Sequence, residues 1–181
     1  GGLRRRFEEG IVNRLVALIP TLLLATATFS AQPVVAGAAG RSVVETINGG
    51  GTAVMTDLPP GMGVSSFGFQ ATLYSDGSAR GSFDCVDHMG DVPGYPGNIF
   101  GAITSWSGNM QGPVVLQVTG KFVAIPGGHP VSVSFTVTIK NFGGAGVGQW
   151  TLDFPGFPSP FNGGPICQEV LTSGQIHQRK S

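Results

Sequence analysis

The residues best suited to chemistry form one polar cluster near the middle of the chain. It comprises Asp84, Asp87, His88 and Asp91. Carboxylates with a histidine could bind Ca²⁺ or Zn²⁺, or supply the acid and base of a hydrolase. On a regular strand, however, Asp84 and His88 would share a face about 13 Å apart, and Asp87 would point to the other face. The spacing therefore favours a structural role at a strand end, and we predict no catalytic residue, metal or cofactor here.

No other polar motif defines a reaction. Asp153 and Glu169 could act together in glycoside cleavage, which requires two carboxylates flanking the scissile bond. Nothing in the sequence brings these two residues close to each other. The chain also has no Gly-x-Ser-x-Gly motif, so a serine hydrolase has no recognisable nucleophile.

Aromatic residues are the better candidates for binding. The rings that could form a platform for a sugar or a partner are Tyr95, Phe100, Trp106, Trp150, Phe157 and Phe161. Trp150 has the strand phase of a core residue. Tyr95, Phe157 and Phe161 lie in segments rich in Pro and Gly. Because loops on a rigid scaffold often carry binding residues, we predict that these three rings make the contacts.

The elements that must position these residues are predicted to be β-strands. Residues 131–140 alternate Val, Phe and Ile with Ser, Thr and Lys, which is typical of a half-buried antiparallel strand. Residues 67–74, 116–122 and 149–154 share this period of two. Weaker candidates are residues 52–57, 79–88, 99–106 and 169–177.

Turn residues separate these strands and define the fold class. The Asp76-Gly77 pair predicts a hairpin between residues 67–74 and 79–88, and the Pro- and Gly-rich residues 126–130 predict a second one. No segment after residue 40 has the period of a helix. We predict an all-β domain of about eight strands, either an antiparallel β-sandwich or a small closed β-barrel.

The first forty residues resemble a secretory leader. Four arginines are followed by an apolar stretch at 15–29 and by small residues at 36–40. The apolar stretch is shorter than a membrane span and contains Pro20. We therefore predict a helical signal peptide with a short linker at 1–40, a single domain at 41–181, and a secreted, periplasmic or cell-surface protein. An uncleaved anchor is the alternative; otherwise the membrane is contacted only through the leader.

The charge of the chain argues against some partners. Four of the ten basic and two of the ten acidic residues lie in the leader, which leaves six basic and eight acidic residues in the domain. A domain without a basic surface is poorly suited to a phosphate backbone, so nucleic acid is an unexpected partner. We expect instead an extracellular protein or glycan.

Two cysteines follow the leader, Cys85 and Cys167. An even number of cysteines in an exported protein favours a disulfide over two buried thiols. Such a bond would close a loop of about 83 residues and contribute about 4 kcal/mol in the chain-entropy model.

The order of short motifs after the leader resembles one family. The motifs are GGGTA at 49–53, FGFQA at 67–71, DGSARG at 76–81, VDH at 86–88, FTVT at 135–138 and GQIH at 174–177. They resemble short secreted bacterial and archaeal β domains of the post-COAP type. The resemblance implies an extracellular all-β module with no assigned activity. We therefore expect a non-catalytic binding or structural module; the alternatives are a secreted hydrolase using Asp84, Asp87 and His88, or a carrier of a small apolar ligand.

Overall fold

A computed structural model describes residues 40–56, 63–88, 97–109, 111–125, 127–155 and 166–181. Residues 39–181 belong to one compact unit. Its strands are β1 (Val43–Met55), β2 (Val64–Tyr74), β3 (Ser78–Asp87), β4 (Gly97–Gly108), β5 (Val114–Ala124), β6 (Val131–Asn141), β7 (Gly143–Gly144), β8 (Gln149–Asp153) and β9 (Cys167–Lys180). The predicted all-β class is confirmed. Among the described residues, no helix is long and apolar enough to cross a membrane.

The strands form one closed antiparallel barrel. The long strands follow one another in the order β1-β2-β3-β4-β5-β6-β8-β9, and β1 also pairs with β9 along its length, from Glu45 opposite Lys180 to Met55 opposite Glu169. The two-residue β7 pairs with β9 beside Ile176. Closure pairs the two edge strands with each other. Of the two predicted architectures, the structure is therefore the β-barrel and not the β-sandwich.

The two ends of the barrel carry different connections. We call the loop end the one at which β1, β3, β5 and β8 finish and β2, β4, β6 and β9 begin. The predicted hairpin turn lies at the opposite end. There the Gly77 amide donates to the Tyr74 carbonyl at 3.1 Å, and Gly77 has a φ of +81°, which suits glycine.

The two-residue period places apolar side chains inside the barrel. Along β2, Ser65, Phe67, Phe69, Ala71 and Leu73 are all buried. The rings of Phe67 and Phe83 each lie 5.5 Å from Trp150, centroid to centroid. An eight-stranded barrel is just wide enough for side chains to fill, and aromatic rings pack across this interior.

Glycines make room for these rings. A Cβ atom on Gly49 of β1 would lie 2.5 Å from Cε1 of Phe69, closer than side chains pack. Gly49 and Phe69 are register partners in adjacent strands. Gly49 therefore belongs to the inner packing of β1, although the glycine run at 49–51 hides the strand period from sequence inspection.

The predicted disulfide is wrong. Cys85 and Cys167 are both buried, and no disulfide joins them. They lie on β3 and β9, with β1 and β2 between those strands in the sheet. At about 4.8 Å per strand this is about 14 Å along the wall, whereas a disulfide needs Cα atoms within about 7 Å of each other.

Candidate functional site

The predicted polar cluster is divided between the two faces of the barrel wall. Along β3 the inward positions are Phe83, Cys85 and Asp87, and the outward positions include Asp84. His88, directly after β3, is exposed. Asp91 lies outside the described residues. The three described polar residues therefore do not share one face, and they do not form an acid–base pair across it.

His88 joins the end of β3 to the start of β2. Its amide donates to the Val64 carbonyl at 2.9 Å, and its Nε2 lies 2.6 Å from the Ser66 hydroxyl. These two bonds hold the strand end in register. Among the described residues, no group of three or more His, Cys, Asp and Glu side chains could hold a metal ion.

A buried polar group lies inside the barrel near the loop end, and sequence reasoning missed it. It consists of Ser65 on β2, Cys85 on β3 and Glu169 on β9. The Ser65 hydroxyl donates to Oε2 of Glu169, which is only 2% exposed. This bond passes over β1, where the small residue Ala53 pairs with Ser65.

The chemistry of this group is that of an inert thiol. Burial is the main cause that raises the pKa of Cys85 well above its ordinary value of 9.0, and the negative charge of Glu169 adds to it; the hydrogen bond from Ser65 has the opposite effect. A thiol with a raised pKa stays protonated at neutral pH and is a poor nucleophile. The signal that could have placed Glu169 inside the barrel is its inward phase, two residues after Cys167 and two before Leu171.

The two carboxylates considered for glycoside cleavage lie on opposite faces of the wall. Glu169 points into the barrel, whereas Asp153 at the end of β8 is exposed. The pair cannot flank one glycosidic bond in this arrangement.

The aromatic residues considered for binding differ in their exposure. Trp150 is fully buried, as its phase predicted. Trp106 is half-buried, and its indole Nε1 donates to the Tyr74 carbonyl at 2.8 Å. Phe100 is 44% exposed on the outer face of β4. The three predicted binding residues, Tyr95, Phe157 and Phe161, lie outside the described residues.

Phe100 lies in a row of side chains that crosses five strands. In register order the row is Gly68, Asp84, Phe100, Lys121 and Ser132. Adjacent strands are about 4.8 Å apart, so the carboxylate-bearing and ammonium-bearing residues directly flank the ring. We call this row the Phe100 platform.

The surroundings of the Phe100 platform leave the ring accessible. The next row contains the short side chains of Ser82, Ala102 and Thr119. A Cβ atom on Gly68 would lie 3.1 Å from Oδ1 of Asp84, so the Asp84 carboxylate lies over Gly68, on the side away from β4. The platform therefore combines an exposed apolar ring with an acceptor on one side and a donor on the other.

Comparison with known proteins adds no relative to this description. No family model, no curated protein and no solved structure matches the chain.

Proposed function

We propose that this protein is a non-catalytic binding module that acts outside the cytoplasm and uses the Phe100 platform to bind a glycan. The observation that carries the proposal is the 44% exposed ring of Phe100 on the wall of a closed barrel. The secretory leader supports the compartment, and the resemblance to secreted post-COAP domains supports the absence of catalysis.

The chemistry of the platform fits a sugar better than a purely apolar partner. A pyranose ring has a face of C–H groups that can stack on an aromatic ring, and hydroxyls around its edge that both donate and accept hydrogen bonds. Lys121 offers donors beside Phe100, and Asp84 offers an acceptor on the opposite side, where its carboxylate lies over Gly68. One stacked ring with a donor beside it and an acceptor further along the same row is a minimal sugar subsite.

The rigid scaffold supports binding at modest affinity. Phe100 is held in a strand that is paired on both sides, by β3 and β5, so little conformational entropy is lost on contact. Burying a whole Phe side chain contributes about 1.5–3 kcal/mol. Covering the exposed part of Phe100 therefore contributes about 1 kcal/mol, and useful avidity requires further contacts or several copies.

The residues predicted from sequence to bind are the candidates for those further contacts. Phe100 lies three residues after Gly97, where β4 begins at the loop end. The connections that contain Tyr95, Phe157 and Phe161 join β3 to β4 and β8 to β9, and both leave the barrel at this end. Tyr95, Phe157 and Phe161 lie outside the described residues and remain predicted binding residues.

Affinity for immobilised polysaccharides tests the proposal. The full chain is exported and its retention on peptidoglycan, cellulose and chitin is compared with that of Phe100→Ala. We expect about fivefold weaker retention, the equivalent of about 1 kcal/mol. Val147→Ala is the matched control, because Val147 is 55% exposed on the connection between β7 and β8 and lies far from the platform in the strand order.

Two results would contradict the proposal. Equal retention of Phe100→Ala and the native protein would remove the platform from the binding surface. Capture on cell envelopes that is lost after protease treatment of the envelope, and kept after glycan digestion, would identify a protein partner instead.

A further inference from the structure

A shallow polar pocket lies on the outer wall formed by β6, β8 and β9, separate from the Phe100 platform on β3 to β5. Its volume is about 60 Å³, and the polar residues that line it include Lys140, Gln149, Thr151, Gln168 and Glu169. A single water molecule needs a cavity of about 10–15 Å³, so this pocket has room for a small polyatomic group. It is too small for a whole sugar ring.

The hydrogen bonds around the pocket leave mainly donors for a ligand. The Gln149 amide oxygen accepts from Nδ2 of Asn141 at 3.0 Å, and the Gln168 amide oxygen accepts from Nζ of Lys140 at 3.3 Å. With both oxygens engaged, each glutamine offers its NH₂ group. The Lys140 ammonium has two further hydrogens to donate.

Thr151 adds a hydroxyl donor to the pocket. Its side chain lies at the pocket, and the residue is only 6% exposed. No hydrogen bond to its hydroxyl is formed within the described part of the chain. The hydroxyl is not one of the fully buried unpaired polar atoms, so it is accessible from the pocket and can donate to a ligand or to water.

The charges near the pocket set the strength of binding. Lys140 is the cation at the pocket, and the Glu169 carboxylate behind it is engaged by Ser65 inside the barrel. The exposed Asp153, two residues from Thr151 on the outer face of β8, opposes an anion. Binding should therefore be weak and sensitive to salt.

From this convergence of donors we propose that the pocket binds a small oxyanion: a carboxylate, sulfate or phosphate group. Lys140 pairs with its charge, the NH₂ groups of Gln149 and Gln168 donate to its oxygens, and the Thr151 hydroxyl donates from the floor. The group can come from a free anion or from the acidic substituent of a larger saccharide. The site does not depend on the Phe100 platform.

Backbone amide shifts in a ¹⁵N NMR titration of the full exported chain test the site. The probes are sulfate, phosphate, acetate and glucuronate, each added at constant ionic strength against sodium chloride. We expect saturable shifts at residues 140, 149, 151 and 168, with a Kd of about 5 mM, typical of one exposed charge pair with a few hydrogen bonds. The strongest probe identifies the source of the oxyanion.

Two variants and one control separate the site from general electrostatics. Lys140→Gln should weaken binding about fivefold, and Thr151→Val should weaken it while leaving the thermal midpoint close to that of the native protein. Arg80→Gln, which removes an exposed cation on β3 outside the pocket, should change nothing. Shifts that do not saturate, that match those from chloride, or that persist unchanged in Lys140→Gln would overturn the proposal. Phe100→Ala should leave the sulfate and phosphate titrations unaltered.

Discussion

The buried bond between Ser65 and Glu169 gives a direct test of how the barrel is held closed. Ser65→Ala removes the donor to Oε2 of a carboxylate that is 2% exposed. The substitution leaves the apolar packing nearly unchanged, because only one oxygen is lost. It also removes the hydrogen bond between Ser65 and the Cys85 thiol. The variant therefore isolates the polar contribution of the group.

The expected cost follows from the burial of the acceptor. A hydrogen bond to a charged group contributes about 1.5–3 kcal/mol to stability. In the variant the buried Glu169 carboxylate would also stay desolvated without its donor, which is unfavourable. We expect Ser65→Ala to lower the free energy of unfolding by about 2 kcal/mol. For a domain of this size the thermal midpoint should fall by about 6 °C.

Urea unfolding followed by tryptophan fluorescence measures this cost. Trp150 reports on the core, because it is fully buried and in contact with Phe67 and Phe83. Ser82→Ala is the matched control on the outer face of β3 and should change stability by less than about 0.5 kcal/mol. In the double variant with Glu169→Gln, the cost of Ser65→Ala should shrink. A loss no larger than that of the control would refute the role given to this bond.

Three further predictions concern the thiols, pH and processing. Cys85 and Cys167 should resist thiol reagents in the native protein, and both should be labelled after unfolding without reductant, as mass spectrometry would show. Burial raises the pKa of Glu45 above its ordinary value of 4.5, against the opposing effects of Gln178 and Lys180, so the native state keeps a proton that the unfolded chain has lost. The free energy of unfolding should therefore fall as pH rises from about 4.5 through the raised pKa. Glu45→Gln should flatten this part of the curve of stability against pH. An equally steep decline in the variant would exclude Glu45 as the cause. N-terminal sequencing of exported protein should find a start between residues 37 and 41, whereas recovery of residues 15–29 would indicate an anchor.

Local sequence determined the strands and the main turn of this protein. The strong alternation at 131–140 coincides with β6 (Val131–Asn141), and Asp76-Gly77 forms the predicted hairpin turn. The sequence underestimated the length of the two terminal strands. β1 spans Val43–Met55, whereas residues 52–57 were predicted. β9 spans Cys167–Lys180, whereas residues 169–177 were predicted. In β1 the glycine run interrupts the apolar period, and the Phe69 ring that fills the space belongs to another strand.

Only the tertiary structure decided closure, the state of the cysteines and the polar groups of the wall. The β1–β9 pairing joins residues from opposite ends of the domain, and the same strand period would serve a sandwich equally well. The positions of Cys85 and Cys167 depend on how many strands separate them around the barrel. The Ser65–Glu169 bond and the donors around Thr151 also depend on register between distant segments. Alternation specifies which face a side chain occupies, whereas its partners across strands are fixed only when the barrel closes.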